Sequence, residues 1–320
     1  MAFNAREFLS VSEYIQRANN PKYLDIIFQE YLNVNSISIE GTCDNFCLPK
    51  SMKKNRSPNY PCWDISRVVL KSNSGLDYIN ANYMAGFDGR RKFIVTQEPM
   101  ATTFDDFWSM IWQENSRIIV MLNGTKQESK PTSPQYLCVN QDHAILKQFI
   151  IKEESIRMES HFMYTELRIL HRSSGDSRVI HHFKYFDWTE TDAPNVGLIL
   201  DFLLKVNKQD QYYFKRTILT NQCPAKPIVV HSNLGIGRAA AFCVADICLY
   251  QMIHTLKVSV PLMVLKARQQ RRFSIPTLNH YIFIHNFILN FLGIMKVNPE
   301  VYFDFRLHLT HKDTQLLLLM

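Results

Sequence analysis

The stretch of residues 228–240 combines the residue types that bind an oxyanion. A β-branched run leads into a loop containing Gly235 and Gly237, and Arg238 follows at the start of an apolar, helix-like segment. A loop between a strand and a helix can direct its backbone N–H groups at one point, where the positive end of the helix dipole favours a phosphate. Glycine permits the positive φ angles of such a loop, and the arginine can donate two hydrogen bonds to phosphate oxygens.

Taken alone, the same residues also fit an ordinary glycine-containing turn with an exposed arginine beside it. The loop lacks the Gly-Lys-Ser/Thr ending of a nucleotide-binding Walker loop. A choice between a phosphate-binding loop and a plain turn therefore depends on the rest of the chain.

The periodicity of the apolar residues predicts the elements that position this loop. Predicted helices cover residues 5–32, 103–113, 196–207, 237–255, 260–268 and 278–292. Predicted strands cover residues 66–71, 78–85, 92–96, 117–122, 144–151, 163–171, 179–186 and 227–231, and residues 33–50 are predicted to form a loop. These elements indicate an α/β (α+β) fold, in which a mixed sheet is flanked by helices.

The composition favours one globular domain. The chain has 320 residues, 46% of them hydrophobic, which is enough for one large core, and no linker rich in Gly, Ser or Pro divides it. No apolar run reaches the length of about 18 residues that a membrane span needs. The first residues lack the pattern of a signal peptide, so we expect a cytoplasmic protein without a membrane span.

The net charge indicates which classes of partner fit the chain, and the cysteine spacing bears on a metal site. A net charge of +7 suits acidic partners such as phosphorylated peptides. The basic clusters at residues 53–56 and 268–272 are too short to favour nucleic acid, so none is predicted as a partner. Cys43 and Cys47 have a spacing that zinc could use, but no second Cys/His pair follows, and we predict neither a metal nor a cofactor.

Several further stretches occur in a fixed order along the chain: residues 54–56, 64–68, 77–83, 96–99, 106–108 and 119–122. Together with the loop at 231–238, they resemble the motifs of the protein tyrosine phosphatase family, from about residue 20 to residue 292. The resemblance implies a single domain with a highly twisted mixed β-sheet flanked by helices. It predicts a helical extension at residues 1–20, the phosphatase-like domain at 21–295 and a tail at 296–320.

The resemblance also implies that the nucleophile is missing. The family signature is His-Cys, five residues and Arg, and Ser232 stands where the family has its cysteine. A thiol at a helix N-terminus beside arginine ionises near neutral pH, whereas a serine hydroxyl stays protonated and needs an adjacent base. In the family, the histidine aligned with His231 bonds the loop backbone and is not that base. The family's hydroxyl after the arginine is replaced by Ala239, which is a second loss.

The general acid is altered as well. The family's Trp-Pro-Asp aligns with residues 188–190, so that Glu190 takes the acid position with one extra methylene. Thr189 replaces the proline that stiffens this loop, and Asp187 or Asp192 could stand in for the acid. A misplaced acid forfeits much of the roughly 10²- to 10⁴-fold that general acid catalysis supplies.

Two further loops depart from the family pattern. The two glutamines that position water align with Pro276 and His280, and the proline offers neither an amide side chain nor an N–H group. In the recognition loop, Ser57 replaces the tyrosine that stacks on the phosphotyrosine ring, and Asn59 replaces the aspartate that binds the peptide backbone. We therefore expect weak selectivity for phosphotyrosine, or another contact in its place.

The predicted function is that of a catalytically inactive tyrosine phosphatase-like protein that binds phosphotyrosine proteins and interferes with host signalling. The predicted phosphate-binding residues are Ser232, Asn233, Leu234, Gly235, Ile236, Gly237 and Arg238. The divergence is similar to that of single-domain phosphatase copies in polydnaviruses, including bracoviruses. Two alternatives stay open: an interaction protein whose pocket is vestigial, and a weak residual phosphatase.

Overall fold

The computed structural model describes residue 4 and residues 7–71, 76–123, 134–137, 143–189, 193–220 and 227–297. In these residues the helices are α1 (Val11–Ala18), α2 (Tyr23–Ser36), α3 (Asp44–Cys47), α4 (Pro49–Met52), α5 (Phe104–Gln113), α6 (Val196–Thr220), α7 (Arg238–Thr255), α8 (Val260–Gln270) and α9 (Leu278–Val297). The strands are β1 (Leu9–Ser10), β2 (Arg67–Val69), β3 (Tyr78–Ala85), β4 (Arg91–Gln97), β5 (Ile118–Met121), β6 (His143–Ile145), β7 (Phe149–Met158), β8 (Phe162–His171), β9 (Ser177–Tyr185), β10 (Ile228–Ser232) and β11 (Lys257–Val258).

One mixed sheet organises the fold, with the strand order β2-β3-β4-β10-β5-β9-β8-β7-β6. The central strand β10 runs parallel to β4 and to β5, and β5 runs parallel to β9. The outer strands pair antiparallel. Every residue of β10 is buried, which explains why its sequence is a continuous β-branched run and does not alternate. The expected fold class is confirmed.

Helices cover both faces of this sheet. On one face, α6, α7 and α9 pack around a large apolar core that includes Phe202, Phe242 and Phe287. On the other face, α5 contributes Phe107 and the fully buried Trp108 to a second core. Because α7 follows β10 directly, it is buried along almost its whole length.

The structure differs from the predicted elements at four places. The helix predicted at 5–32 is two helices, because Asn19 ends α1 and Pro21, which cannot donate a backbone hydrogen bond, lies in the turn before α2. The loop predicted at 33–50 contains the end of α2 and the short helices α3 and α4. The strand predicted at 144–151 is a hairpin of β6 and β7, and α6 continues thirteen residues beyond the predicted end at 207.

The sheet places the loop between β10 and α7 at the edge where the parallel strands end. The strands β4, β5 and β10 are parallel, so their carboxyl ends meet where the chain leaves β10 for α7. No helix among the described residues is long and apolar enough to span a membrane.

Candidate phosphate-binding site

The loop between β10 and α7, here called the phosphate loop (residues 232–238), is closely packed against β4. Gly235 has a φ angle of +68°, which side chains rarely adopt. A Cβ atom at Gly235 would overlap the carbonyl oxygen of Thr96 and lie 2.8 Å from the nitrogen of Gln97. Glycine is therefore required at this position by both the backbone conformation and the close approach of β4.

The carbonyl groups of the phosphate loop point away from its centre. The guanidinium of Arg271 donates to the carbonyl oxygen of Leu234 at 3.1 Å and to that of Gly235 at 3.3 Å. The N–H group of Ile275 donates to the carbonyl oxygen of Ile236 at 2.9 Å. Because a trans peptide is planar, the N–H group that follows each of these carbonyls points to the opposite side. Three successive amides are thereby directed to the inside of the loop, where an anion can accept from them.

Arg271 shapes the phosphate loop, although the sequence indicated only that it belongs to the basic cluster at residues 268–272. It is 2% exposed, and it also donates to Oδ1 of Asn82 at 2.9 Å. Burial lowers the pKa of its guanidinium. Its neighbour Arg268 is likewise turned inward, with hydrogen bonds to the carbonyl oxygens of Ser274 and Ile275. The sequence feature that could have identified the pair is its spacing of three residues, which places both arginines on the same side of the C-terminal end of α8.

Ser232 lies at the bottom of the phosphate loop and is 3% exposed. Its Oγ atom accepts a hydrogen bond from the N–H group of Ala239 at 3.4 Å. The N–H group of Asn233 is directed elsewhere, to Oδ1 of Asn123 at 2.7 Å. The inward amides are therefore those of residues 235–237, and the amide of Asn233, which was predicted to bind phosphate, is already engaged.

His231 is held as a neutral ring behind the serine. Its Nε2 atom lies 2.7 Å from the hydroxyl of Tyr136, which also lies 2.7 Å from Nε2 of His182. Burial, followed by the repulsion of His182, lowers the pKa of His231 well below its usual value. The resemblance implied a hydrogen bond from this ring to the loop backbone, whereas Nδ1 of His231 has no hydrogen-bond partner in the part of the chain that the structure describes.

Arg238 opens α7 and is 8% exposed. One of its terminal nitrogens donates to the carbonyl oxygen of Trp188 at 2.7 Å, and the Trp188 ring packs on Phe283 with centroids 4.4 Å apart. The residues predicted for the acid position, Glu190 and its possible substitute Asp192, lie outside the described residues. The contact places Trp188, the first residue of the stretch aligned with Trp-Pro-Asp, at the arginine.

Of the two residues aligned with glutamines, His280 is brought to the phosphate loop. Its Nδ1 atom lies 2.6 Å from Oγ1 of Thr277, and its ring lies against Gly237. Burial, followed by the charge of Arg238, lowers the pKa of His280 to about 4. Pro276 is exposed, and its carbonyl oxygen accepts a hydrogen bond from Tyr31 in α2 at 2.7 Å.

The recognition segment is joined to the phosphate loop through Arg56. The backbone N–H of Arg56 donates to Oε1 of Gln97 at 3.0 Å, and its side chain reaches Oδ1 of Asn233 at 3.5 Å. Ser57 is half-buried, and its Oγ atom accepts from the N–H group of Asn59, whose side chain is exposed. The contacts of Arg56 therefore place the segment with Ser57 and Asn59 beside the phosphate loop. Both residues are small and polar, so neither position provides an aromatic ring, as the resemblance implied.

Comparison with known proteins agrees with this architecture. The family described as protein-tyrosine phosphatase matches residues 51–290, a range that contains the sheet, the phosphate loop and the segment with His280. The match therefore covers the whole of the candidate site.

Individual relatives are similar over most of the chain. "Probable tyrosine phosphatase protein N1" of Microplitis demolitor bracovirus is 34% identical over 292 residues, which is 89% of this chain and 90% of the relative. "Tyrosine phosphatase-like protein J1" of the same virus is 31% identical over 88% of this chain and 95% of the relative. The human "Tyrosine-protein phosphatase non-receptor type 9" is 33% identical over 83% of this chain but 46% of its own length.

Proposed function

Because the chain belongs to the protein-tyrosine phosphatase family, we propose that it is a catalytically inactive member that binds phosphotyrosine proteins. One observation carries the proposal: an anion-binding loop with inward amides and Arg238 is retained around a serine in the position of the nucleophile. Such a protein shields a phosphorylated residue from active phosphatases and does not hydrolyse it.

The surroundings of Ser232 support the loss of catalysis. A serine needs a base to become a nucleophile, and the adjacent His231 has its Nε2 atom at the Tyr136 hydroxyl. In other enzymes the loss of a nucleophile costs about a million-fold in rate. Ala239 offers the Oγ atom a backbone N–H but no hydroxyl. With Glu190 in place of the family's aspartate, the acid position is altered too.

The retained groups support binding. A phosphate dianion in the loop would meet the amides of residues 235–237 and the guanidinium of Arg238, at the start of an eighteen-residue helix. Ser57 and Asn59 provide no aromatic wall for the phosphotyrosine ring, so the proposal places most of the affinity on the phosphate itself. Pro276 supplies no side-chain donor at its position.

The origin of the relatives supports a proposal about the kind of target protein and the compartment in which it is bound. Two of them come from a bracovirus, so we propose that the targets are host signalling proteins in the host cytoplasm. We also retain as a proposal the division into residues 1–20, 21–295 and 296–320. The extension would then be attached through Tyr14 of α1, whose hydroxyl lies 2.6 Å from Nδ1 of His285 in α9.

Calorimetry tests the proposal with a phosphotyrosine peptide, its unphosphorylated twin and free phosphate. We expect micromolar affinity for the phosphopeptide, weaker binding of free phosphate and no binding of the unphosphorylated twin. Arg238→Ala should weaken it about 10- to 150-fold, because it removes hydrogen bonds from a charged donor worth about 1.5–3 kcal/mol. Arg157→Ala, an equal charge change on the exposed end of β7, should leave the affinity unchanged, and thermal unfolding checks that both variants are folded.

Two outcomes would contradict the proposal. If the wild type binds no phosphorylated ligand, the pocket is vestigial and the partner must bind elsewhere. If the wild type hydrolyses phosphotyrosine, phosphoserine or phosphoinositide substrates with turnover that depends on Glu190, the chain is a residual phosphatase.

A further inference from the structure

The ring of His280 occupies the space beside Gly237 in the phosphate loop. The position that a Cβ atom at Gly237 would take lies 2.7 Å from Nε2 of His280 and 2.8 Å from its Cε1 atom. The next residue is Arg238, whose charge acts on the same ring. His280 therefore lies beside both the inward amides and the arginine that would bind phosphate.

The contacts of Thr277 are compatible with a proton on Nε2 of His280. The Thr277 hydroxyl accepts from the backbone N–H of His280 at 3.4 Å, and it lies 2.6 Å from Nδ1 of the ring. We assign the tautomer in which the hydroxyl donates its one hydrogen to Nδ1. This arrangement leaves the ring proton on Nε2, the atom that faces the phosphate loop.

We propose that His280 is a phosphate ligand, whose Nε2–H donates to an oxygen of the bound phosphate and whose Nδ1 takes up a proton from solvent on binding. This inference rests on the proposed phosphotyrosine binding and assigns it a further binding group. The imidazole of His280 can gain a proton, whereas the glutamine amide at the aligned position of the family pattern cannot. The affinity of the site for phosphate therefore depends on pH.

Electrostatics give the direction of that dependence. Among the described residues, the charged group that acts on His280 is Arg238, and the pKa of about 4 in the empty site leaves the ring neutral from pH 5 to 8. A bound anion, whether a phosphate ester or a sulfate ester, offsets the arginine and attracts a proton to the ring, so the pKa of His280 is higher in the complex. Affinity therefore rises as the pH falls through this higher pKa, and it levels off near pH 4.

The experiment is calorimetric titration from pH 8 to pH 5.5 with a phosphotyrosine peptide and with a sulfotyrosine peptide of the same sequence. The sulfate ester keeps its charge over this range, whereas the phosphate ester titrates near pH 6. Titrations in two buffers with different ionisation enthalpies measure the protons taken up. The variants are His280→Gln, His280→Ala and, as a control for the loss of a histidine, His171→Gln at the end of β8.

For the wild type and the control, we expect proton uptake and an affinity for the sulfopeptide that rises about tenfold from pH 7.5 to pH 5.5. The affinity of His280→Gln for the sulfopeptide should not change with pH. His280→Ala should bind about 3- to 10-fold more weakly than the wild type at pH 7.5, because it loses one hydrogen bond.

If wild type and His280→Gln bind with the same pH profile and proton uptake, the inference is wrong while the proposed function stands. If the wild type binds neither peptide at any pH, both are wrong.

Discussion

At the scale of the residue, Ser232 has an oxygen atom where the family nucleophile has sulfur. Ser232 occupies the end of β10 with its Oγ atom bonded to the N–H group of Ala239, a position that would favour a thiolate. A hydroxyl does not ionise there without an adjacent base, whereas the inward amides and Arg238 can still meet an anion. The proposed inactivity and the proposed binding thus have a common physical origin in this site.

Ser232→Cys tests this account directly. The variant should gain phosphotyrosine hydrolysis of about 10²- to 10⁴-fold over the wild type, well short of the roughly 10⁶-fold that a nucleophile is worth elsewhere. The shortfall is expected because Glu190 and Ala239 stay altered. The measurement is single-turnover phosphate release, with trapping of the phosphocysteine at acid pH. Ser232→Ala serves as the control, and equal rates for wild type, alanine and cysteine variants would contradict the prediction.

At the scale of the element, the phosphate loop is shaped by groups from other parts of the chain. Arg271 and Ile275, which follow α8, hold three of its carbonyl oxygens. Thr96 and Gln97 of β4 leave no space for a side chain at Gly235. The loop therefore depends on β4 and on the segment after α8 as much as on its own sequence.

Gly235→Ala should remove the curl of the loop. A Cβ atom would overlap the Thr96 carbonyl, and we expect destabilisation of about 2–4 kcal/mol together with loss of phosphopeptide binding. Gly175→Ala is a matched control, because Gly175 has a φ of +73° with no atom within 4 Å of the added Cβ. Urea unfolding and calorimetry measure both effects. Equal destabilisation by the two substitutions would show that backbone strain alone matters, without the clash.

At the scale of the whole molecule, a buried polar cluster joins α1, α2 and α9. Glu30 is 9% exposed, and its carboxylate lies 2.5 Å from Arg17 and 2.7 Å from the hydroxyl of Tyr281. Burial acts to raise the pKa of Glu30, but His285, Arg17 and Tyr281 together lower it to about 2. Burial lowers the pKa of His285, whereas Glu30 acts to raise it, and the guanidinium of Arg17 lies beside the carboxylate.

This cluster predicts a stability that depends on pH. Because the folded pKa of Glu30 is lowered, its contribution is complete above the ordinary carboxyl pKa near 4.5 and is lost as the pH falls towards 2. Glu30→Gln should lower the free energy of unfolding by about 1–3 kcal/mol at pH 7. The difference from the wild type should shrink by pH 3, as urea unfolding would measure. A difference that is the same at both pH values would exclude this role for the carboxylate.

The sequence by itself determined the order of the elements and the place of the chemistry. A continuous β-branched run predicts a strand buried on both faces, and this feature is local enough for periodicity to identify it. Two glycines before an arginine and an apolar helix fit either an anion-binding loop or an ordinary turn, and the motifs that occur in a fixed order along the chain favoured the anion-binding loop. The serine at position 232 was likewise visible as a residue type.

The tertiary structure decided how that loop is held and which side chains reach it. Arg271 binds loop carbonyls 36 and 37 residues away, Tyr136 lies between His231 and His182, and His280 packs on Gly237. Hydrogen bonds between residues so far apart leave no periodic trace in the sequence. They form because parallel pairing of β4, β10 and β5 brings the ends of distant segments to one edge of the sheet.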